Sequence, residues 1–238
     1  DGTVRGSLAE ADPLYAPLLD AARRDLHAGE AGAAGSARRY SWTMRSVPVG
    51  ADRADVLFEA LRPPVRLVVF GEGHDVPPVV DLAKQMGWQV VVVGRKPAGR
   101  LAERFPSADA WTFLMHPAEV GAHVALDAWT AALVMNHTYL RDRDLVQTLL
   151  RTGVPYVGVL GPRERTDRML EELSMGGAPL TSAHLDRLYS PVGLDLGTET
   201  PEEIALSAVA EIQAVLHGRS GGSLRTREEP IHGTRVEW

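Results

Sequence analysis

The chain has 238 residues, a formal charge of -6 at neutral pH and no cysteine, a length that suits one large domain or one domain with a small companion. The acidic balance and the absence of a Lys/Arg run argue against nucleic acid or an anionic membrane as a partner. The missing cysteines exclude disulfides, thiolate metal sites and cysteine nucleophiles within the chain.

Residues 1–62 read as a small separate α+β region. Leu14, Tyr15, Leu18, Leu19, Ala22 and Leu26 recur at helical spacing, and Gly29 is expected to end that helix. Gly32 to Ser36 reads as a small-residue loop, and Tyr40 to Arg45 as a short strand. Pro63-Pro64 marks a boundary, because proline resists both helix and central strand.

From Val65 the pattern alternates. Strands are predicted at 65–70, 89–93, 110–114, 131–135 and 155–159, and helices near 77–87, 99–104, 142–151 and 162–174. Strands alternating with helices imply an α/β fold: a doubly wound, mostly parallel, Rossmann-like sheet. Right-handed crossovers place all strand C-terminal ends on one edge, so the following loops 71–76, 94–98, 115–118, 136–142 and 160–163 should meet any ligand. Thr200, Pro201 and Glu203 form a helix start with a capping box, and Gly218 stops that helix. The domain then spans 63–218, and a Gly-, Arg- and Glu-rich tail, 219–238, is expected to be exposed or to cross to a neighbouring protomer. No apolar stretch is long enough to span a bilayer and no signal peptide is visible, so a cytoplasmic protein is expected.

The run Val65 to Phe70 ends in Gly71-Glu72-Gly73-His74, the front of a nucleotide-binding βαβ unit. Gly71 permits a sharp turn and Gly73 a close backbone approach to a pyrophosphate. The third glycine of the usual fingerprint is replaced by Val76, followed by Pro77 and Pro78, which lack N–H groups that phosphate could use. The alternative is that these glycines only shape a tight turn. At the end of the second strand an NAD-specific unit carries an acid, whereas this chain has Gly94, Arg95 and Lys96. Arg95 and Lys96 could hold a 2′-phosphate, which favours NADP(H) over NAD(H) if a dinucleotide binds. They could equally be solvated.

Asn136-His137-Thr138-Tyr139 follows the fourth strand, at the ligand edge. His137 and Tyr139 are candidate catalytic proton donors, although His137 could instead bond only to loop backbone. His74, His116 and His137 share that edge, but their spacing fits no compact metal motif, so no metal site is assigned. Arg163, in Gly161-Pro162-Arg163, could bind a ligand phosphate or carboxylate, or pair like Arg165 with acids on the helix. Asp195, in Gly193-Leu194-Asp195-Leu196-Gly197, could bind a ligand or hold the turn.

Several ordered blocks carry a resemblance. Ser190 to Gly197 followed by Thr200 to Leu206 resembles the signature of the XdhC/CoxI family. Gly71 to His74, Met135 to Tyr139, Gly158 to Arg163 and Gly218 to Leu224 are similar to its other blocks. The resemblance covers roughly residues 63 to 232, and residues 1–62 look like a shortened N-terminal region without the family's cysteine block. It implies an accessory protein for molybdenum hydroxylases such as xanthine dehydrogenase, with a Rossmann-like domain that binds molybdenum cofactor for maturation of the enzyme, and a homodimer. The phosphate of that cofactor would lie at Gly71, Gly73 and His74, with Asn136, His137, Arg163 and Asp195 lining the pocket. A second reading is an NADP(H)-dependent oxidoreductase acting on a small molecule, with Arg95 and Lys96 on the 2′-phosphate. A third is a non-catalytic nucleotide-binding module.

Overall fold

The computed structural model describes residues 9, 12–31, 40–49, 52–61, 63–176 and 179–228. The chain divides into two compact units, Asp1–Pro63 and Pro64–Trp238.

The first unit contains helix α1 (Tyr15–Ala31) and the strands β1 (Tyr40–Val49) and β2 (Asp52–Leu61). The Asp12 side chain accepts the Leu14 N–H at 2.8 Å just before α1 begins. The helix does not stop at Gly29 but runs through to Ala31. One glycine costs a helix about 1 kcal/mol relative to alanine, which does not break it when Ala28, Glu30 and Ala31 flank it. β1 is longer than the predicted Tyr40 to Arg45, and β2 is an element that the sequence reading passes over. The two pair antiparallel from Tyr40↔Leu61 to Val49↔Asp52. Pro48 is tolerated because each strand of a two-stranded sheet is an edge. Gly32 to Ser36 lies outside the described residues.

The second unit is an α/β domain. Its strands are β3 (Arg66–Phe70), β4 (Gln89–Gly94), β5 (Ala110–Phe113), β6 (Thr130–Val134), β7 (Tyr156–Val159) and β8 (Leu188–Tyr189). They form one six-stranded sheet in the order β5-β4-β3-β6-β7-β8, and every pair is parallel. The helices are α2 (Val76–Gln85), α3 (Ala98–Arg104), α4 (Val120–His123), α5 (Tyr139–Leu150), α6 (Arg163–Met175), α7 (Ser182–Leu185) and α8 (Pro201–Leu216). The two-residue β8 and the one-turn α4 and α7 are too short to leave a periodic signal in the sequence.

Consecutive residues Leu67 to Phe70 and Thr130 to Val134 are all buried, so both faces of the sheet are covered. On one face Val68, Phe70, Val91, Val93, Ala132 and Val134 pack with Leu145, Val146, Leu149 and Leu150 of α5. The alternate residues Leu67, Val69, Val92 and Leu133 face the other way and are also fully buried. α2 and α8 lie against each other, and α8 reaches β7. The capping box at α8 forms as predicted: Thr200 accepts the Glu203 N–H, and Glu203 accepts the Thr200 N–H at 3.0 Å. Among the described residues, no helix is long and apolar enough to cross a membrane.

The strand order reverses between β3 and β6. In such a sheet the loops leaving those strands diverge to opposite faces, and the crevice left between them is where ligands bind.

Candidate functional site

The crevice begins where β3 ends. Gly71 donates its N–H to Val93 at 3.1 Å, and Met135 donates to Phe70 at 2.7 Å, so the ends of β4, β3 and β6 are tied edge to edge. A Cβ on Gly71 would lie 2.5 Å from the Met135 carbonyl oxygen. The strands can be this close only because that residue has no side chain. α2 then starts at Val76 with Asp75 as its N-cap, and proline occupies its first turn. The N–H groups of Glu72, Gly73, His74 and Asp75 have no acceptor among the described residues, and the helix dipole adds positive potential there. Pro77 and Pro78 supply no donors, so an anion at this point must use the loop rather than the helix itself.

Across the crevice His137 adopts φ 58°, a left-handed conformation unusual for a non-glycine residue. Its Nε2 lies 3.0 Å from Asp75 Oδ2. The Asp75 side chain is 7% exposed and the imidazole 56% exposed, so a buried carboxylate holds an accessible ring. Asp75 Oδ1 is buried and has no hydrogen-bond partner. Bound through Nε2, the ring keeps Nδ1 available for a proton or a ligand.

The next residue back, Asn136, donates from Nδ2 to Asp142 Oδ1 at 3.0 Å. Arg165 Nη2 donates to Asp142 Oδ2 at 2.6 Å. Asp142 is 1% exposed, and this arginine is its ion-pair partner. The loop after β6, the start of α5 and the start of α6 are thereby locked together. On the other side Arg141 donates to the carbonyl oxygens of Leu114 at 2.7 Å and Met115 at 2.9 Å, closing the end of β5. Burial, and then the nearby charge of Arg95, pull its guanidinium below the usual arginine range.

The predicted residues divide. Gly71, Gly73, Asn136 and His137 come together at the β3–β6 crevice, and His74 sits exposed on the same glycine loop. Arg95 and Lys96 are exposed at the end of β4, and they meet a carboxylate there. Glu72 Oε1 accepts the N–H of Arg95 and, at 3.1 Å, that of Lys96. Glu72 Oε2 lies 3.4 Å from Lys96 Nζ. The Glu72 carboxylate also stands beside Gly94, where a Cβ would lie 2.8 Å from its Oε1.

Tyr139 lies in the first turn of α5 rather than in the preceding loop. The Arg165 and Arg168 guanidinium groups stand 5.8 and 5.5 Å from its ring centre. Burial, and then the Glu172 carboxylate, push its phenol above the ordinary value. Its contacts therefore lie with α6. Arg163 is exposed at the start of α6, while Arg165, two residues on, enters the buried network. Asp195 is exposed. The block around it is fastened to α8: Ser207 Oγ donates to the Leu194 carbonyl oxygen at 2.5 Å, and Gly193 donates to Glu211 at 3.0 Å. Tyr156 donates to the same Glu211 at 2.5 Å. Burial, and then the Glu211 charge, push the Tyr156 phenol well above its ordinary value.

Glu72, Asp75, Arg141 and Asp142 are the residues that sequence reasoning missed, while Arg165, expected to pair with acids on its own helix, pairs with Asp142 of α5 instead. Asp75 closes the glycine block, and Asp142 falls one turn after Tyr139. Neither spacing says which partner it will meet. Among the described residues, no group of three or more His, Asp and Glu could hold a metal ion. A cavity of about 740 Å³ lies away from this crevice, between Leu82 of α2 and Met86 just after it, Val209 and Gln213 of α8, and the 218–227 segment.

Strand order, glycine loop and switch-point crevice define a Rossmann domain. The chain belongs to the XdhC family: residues 67–212 match the XdhC Rossmann domain. It is 35% identical over 158 residues to a probable xanthine dehydrogenase subunit of Bacillus subtilis (strain 168), covering 66% of this chain and 45% of that protein. It is 31% identical over 182 residues to the uncharacterized protein YqeB of Escherichia coli (strain K12), covering 76% of this chain and 32% of that protein. The chain thus spans less than half the length of these curated relatives. A solved structure of a xanthine dehydrogenase from Bacillus halodurans shares the fold, with a TM-score of 0.59 at 24% identity, over 86% of this chain and 68% of that one.

Proposed function

We propose that this chain is an accessory protein in the maturation of a molybdenum hydroxylase of the xanthine dehydrogenase kind, and that it holds the phosphorylated molybdenum cofactor at the switch-point crevice. Membership of the XdhC family supports the first part, together with a relative that is called a probable xanthine dehydrogenase subunit. The observation that carries the second is the glycine loop. Four consecutive N–H groups, of Glu72 to Asp75, are open at the start of α2, as an anion requires. His137 faces that loop from the end of β6, Asn136 beside it is tied to Asp142, and His74 is exposed on the loop.

In this reading the chain's own residues position rather than react. The loop N–H groups bind the phosphate, and Asp75 keeps His137 turned toward the ligand. The Asn136–Asp142–Arg165 network holds the opposite wall in place. The cofactor, when bound, would supply the molybdenum and dithiolene chemistry of the enzyme that receives it.

The test is to incubate the purified chain with molybdenum cofactor, remove the unbound fraction and assay the retained pterin by fluorescence after oxidation. The loaded chain is then mixed with cofactor-free xanthine dehydrogenase. Retained pterin and recovered hydroxylase activity are expected. No retained pterin, with the chain folded, would overturn the reading.

A further inference from the structure

Glu72 sits where a dinucleotide-binding unit needs an acid. In such units the residue at the end of the second strand of the fold accepts hydrogen bonds from the ribose hydroxyls of the nucleotide. The corresponding residue here, at the end of β4, is Gly94. A Cβ at Gly94 would lie 2.8 Å from Glu72 Oε1 and 2.9 Å from Glu72 Cγ. The glycine therefore makes room for a carboxylate that arrives from the neighbouring loop. That carboxylate is fixed: Oε1 is occupied by the N–H groups of Arg95 and Lys96. Its side chain is 18% exposed, and among the described residues Oε2 is met by the exposed ammonium of Lys96 at 3.4 Å. A carboxylate oxygen has two acceptor sites, so Oε2 retains capacity for a hydroxyl donor.

We infer that Glu72 is the acceptor for a ribose 2′,3′-diol, and that the crevice takes a nucleotide whose ribose is not phosphorylated at the 2′ position. This goes beyond the maturation reading, which needs only a phosphate at the glycine loop. It also reverses the preference that Arg95 and Lys96 suggest in the sequence. Lys96 is drawn to Glu72, and a 2′-phosphate would meet the carboxylate first. Like charges in contact disfavour the phosphorylated form strongly. The N–H groups of Glu72 to Asp75 belong to the same loop, where the nucleotide's 5′-phosphate would follow.

The test is a set of calorimetric titrations of the whole chain with NADH, NADPH, ADP-ribose and its 2′-deoxy analogue. NADH or ADP-ribose is expected to bind at least about tenfold more tightly than NADPH or the deoxy analogue, the weight of one ribose contact or one like-charge clash. The extra phosphate of NADPH sits on the adenosine ribose, so this preference places the diol in the adenosine half. Glu72→Gln keeps an acceptor oxygen for the two backbone N–H groups but loses the charge, and should bring NADH and NADPH to within about threefold of each other. NADPH binding as tightly as NADH to the unaltered chain overturns the inference, as does the absence of binding by all four compounds. Neither result touches the pterin assay, so failure here and failure of the maturation reading are distinguishable.

Discussion

His137 Nε2 and Asp75 Oδ2 meet at 3.0 Å across the point where the sheet reverses direction. The contact joins the end of β6 to the N-cap of α2, and His137 reaches it from φ 58°. A non-glycine residue held in that region stores of order 1–3 kcal/mol of strain, which persists only where the surroundings over-determine it.

Two substitutions separate the backbone from the side chain at this position. Both His137→Ala and His137→Gly leave Asp75 without its partner. His137→Gly also relieves the positive φ, so it should be more stable than His137→Ala by about 1 kcal/mol. Urea unfolding midpoints measure the difference. Equal midpoints would mean that the backbone at 137 is not left-handed.

The Asp142–Arg165 pair should dominate the local energetics. Arg165→Ala leaves a charge that is 1% exposed without its cation, and the expected loss is about 3–5 kcal/mol. Adding Asp142→Asn to that variant should restore a large part of it, because the orphaned charge is gone. A double-mutant cycle by thermal or urea denaturation checks this, and additive losses would show the two residues to be independent.

Gly71→Ala should be costly where Gly153→Ala is not. The new Cβ at position 71 would lie 2.5 Å from the Met135 carbonyl oxygen, whereas nothing lies within 4 Å at position 153. A loss of about 2 kcal/mol or more is expected for the first, from forced separation of β3 and β6. The second should stay within about 0.5 kcal/mol of the parent. Nucleotide or pterin binding should fall with Gly71→Ala alone.

The start of α8 carries a pH-dependent element. The Thr200 N–H, and then the Glu199 N–H, hold the Glu203 carboxyl below its ordinary value. A carboxyl lowered in the folded state stabilises it fully above the ordinary value, and that stabilisation fades as pH falls through the lowered value. The difference in melting temperature between the parent and Glu203→Gln should therefore be constant near neutrality and close below about pH 4. A difference that grows on acidification would contradict the assignment. At the same cap Thr200→Ala should cost about 1 kcal/mol at any pH in that range.

Much of the architecture is legible in the order of residues. Apolar runs such as Leu67 to Phe70 and Val90 to Val93 are continuous because both faces are buried, and that pattern reads directly as a parallel sheet. The caps of α8 are local, within four residues, so Thr200 and Glu203 declare themselves. β2 escapes a sequence reading because its charged residues, Asp52, Arg53 and Asp55, dilute a weak alternation. Tyr139 reads as part of a loop because a helix start without a side-chain cap leaves no local mark.

By itself the sequence determined the class of fold, the edge at which the strands release their loops and the glycines that bring strands close, since each depends on neighbours along the chain. Only the tertiary structure decided the partners. Glu72 meets the loop after β4 across 23 residues, Asp142 meets Arg165 across 23, and Asp75 meets His137 across 62. No periodicity spans such separations. These contacts exist because β3, β4, β6 and β7 lie side by side and release their loops at one edge, and that adjacency comes from the strand order.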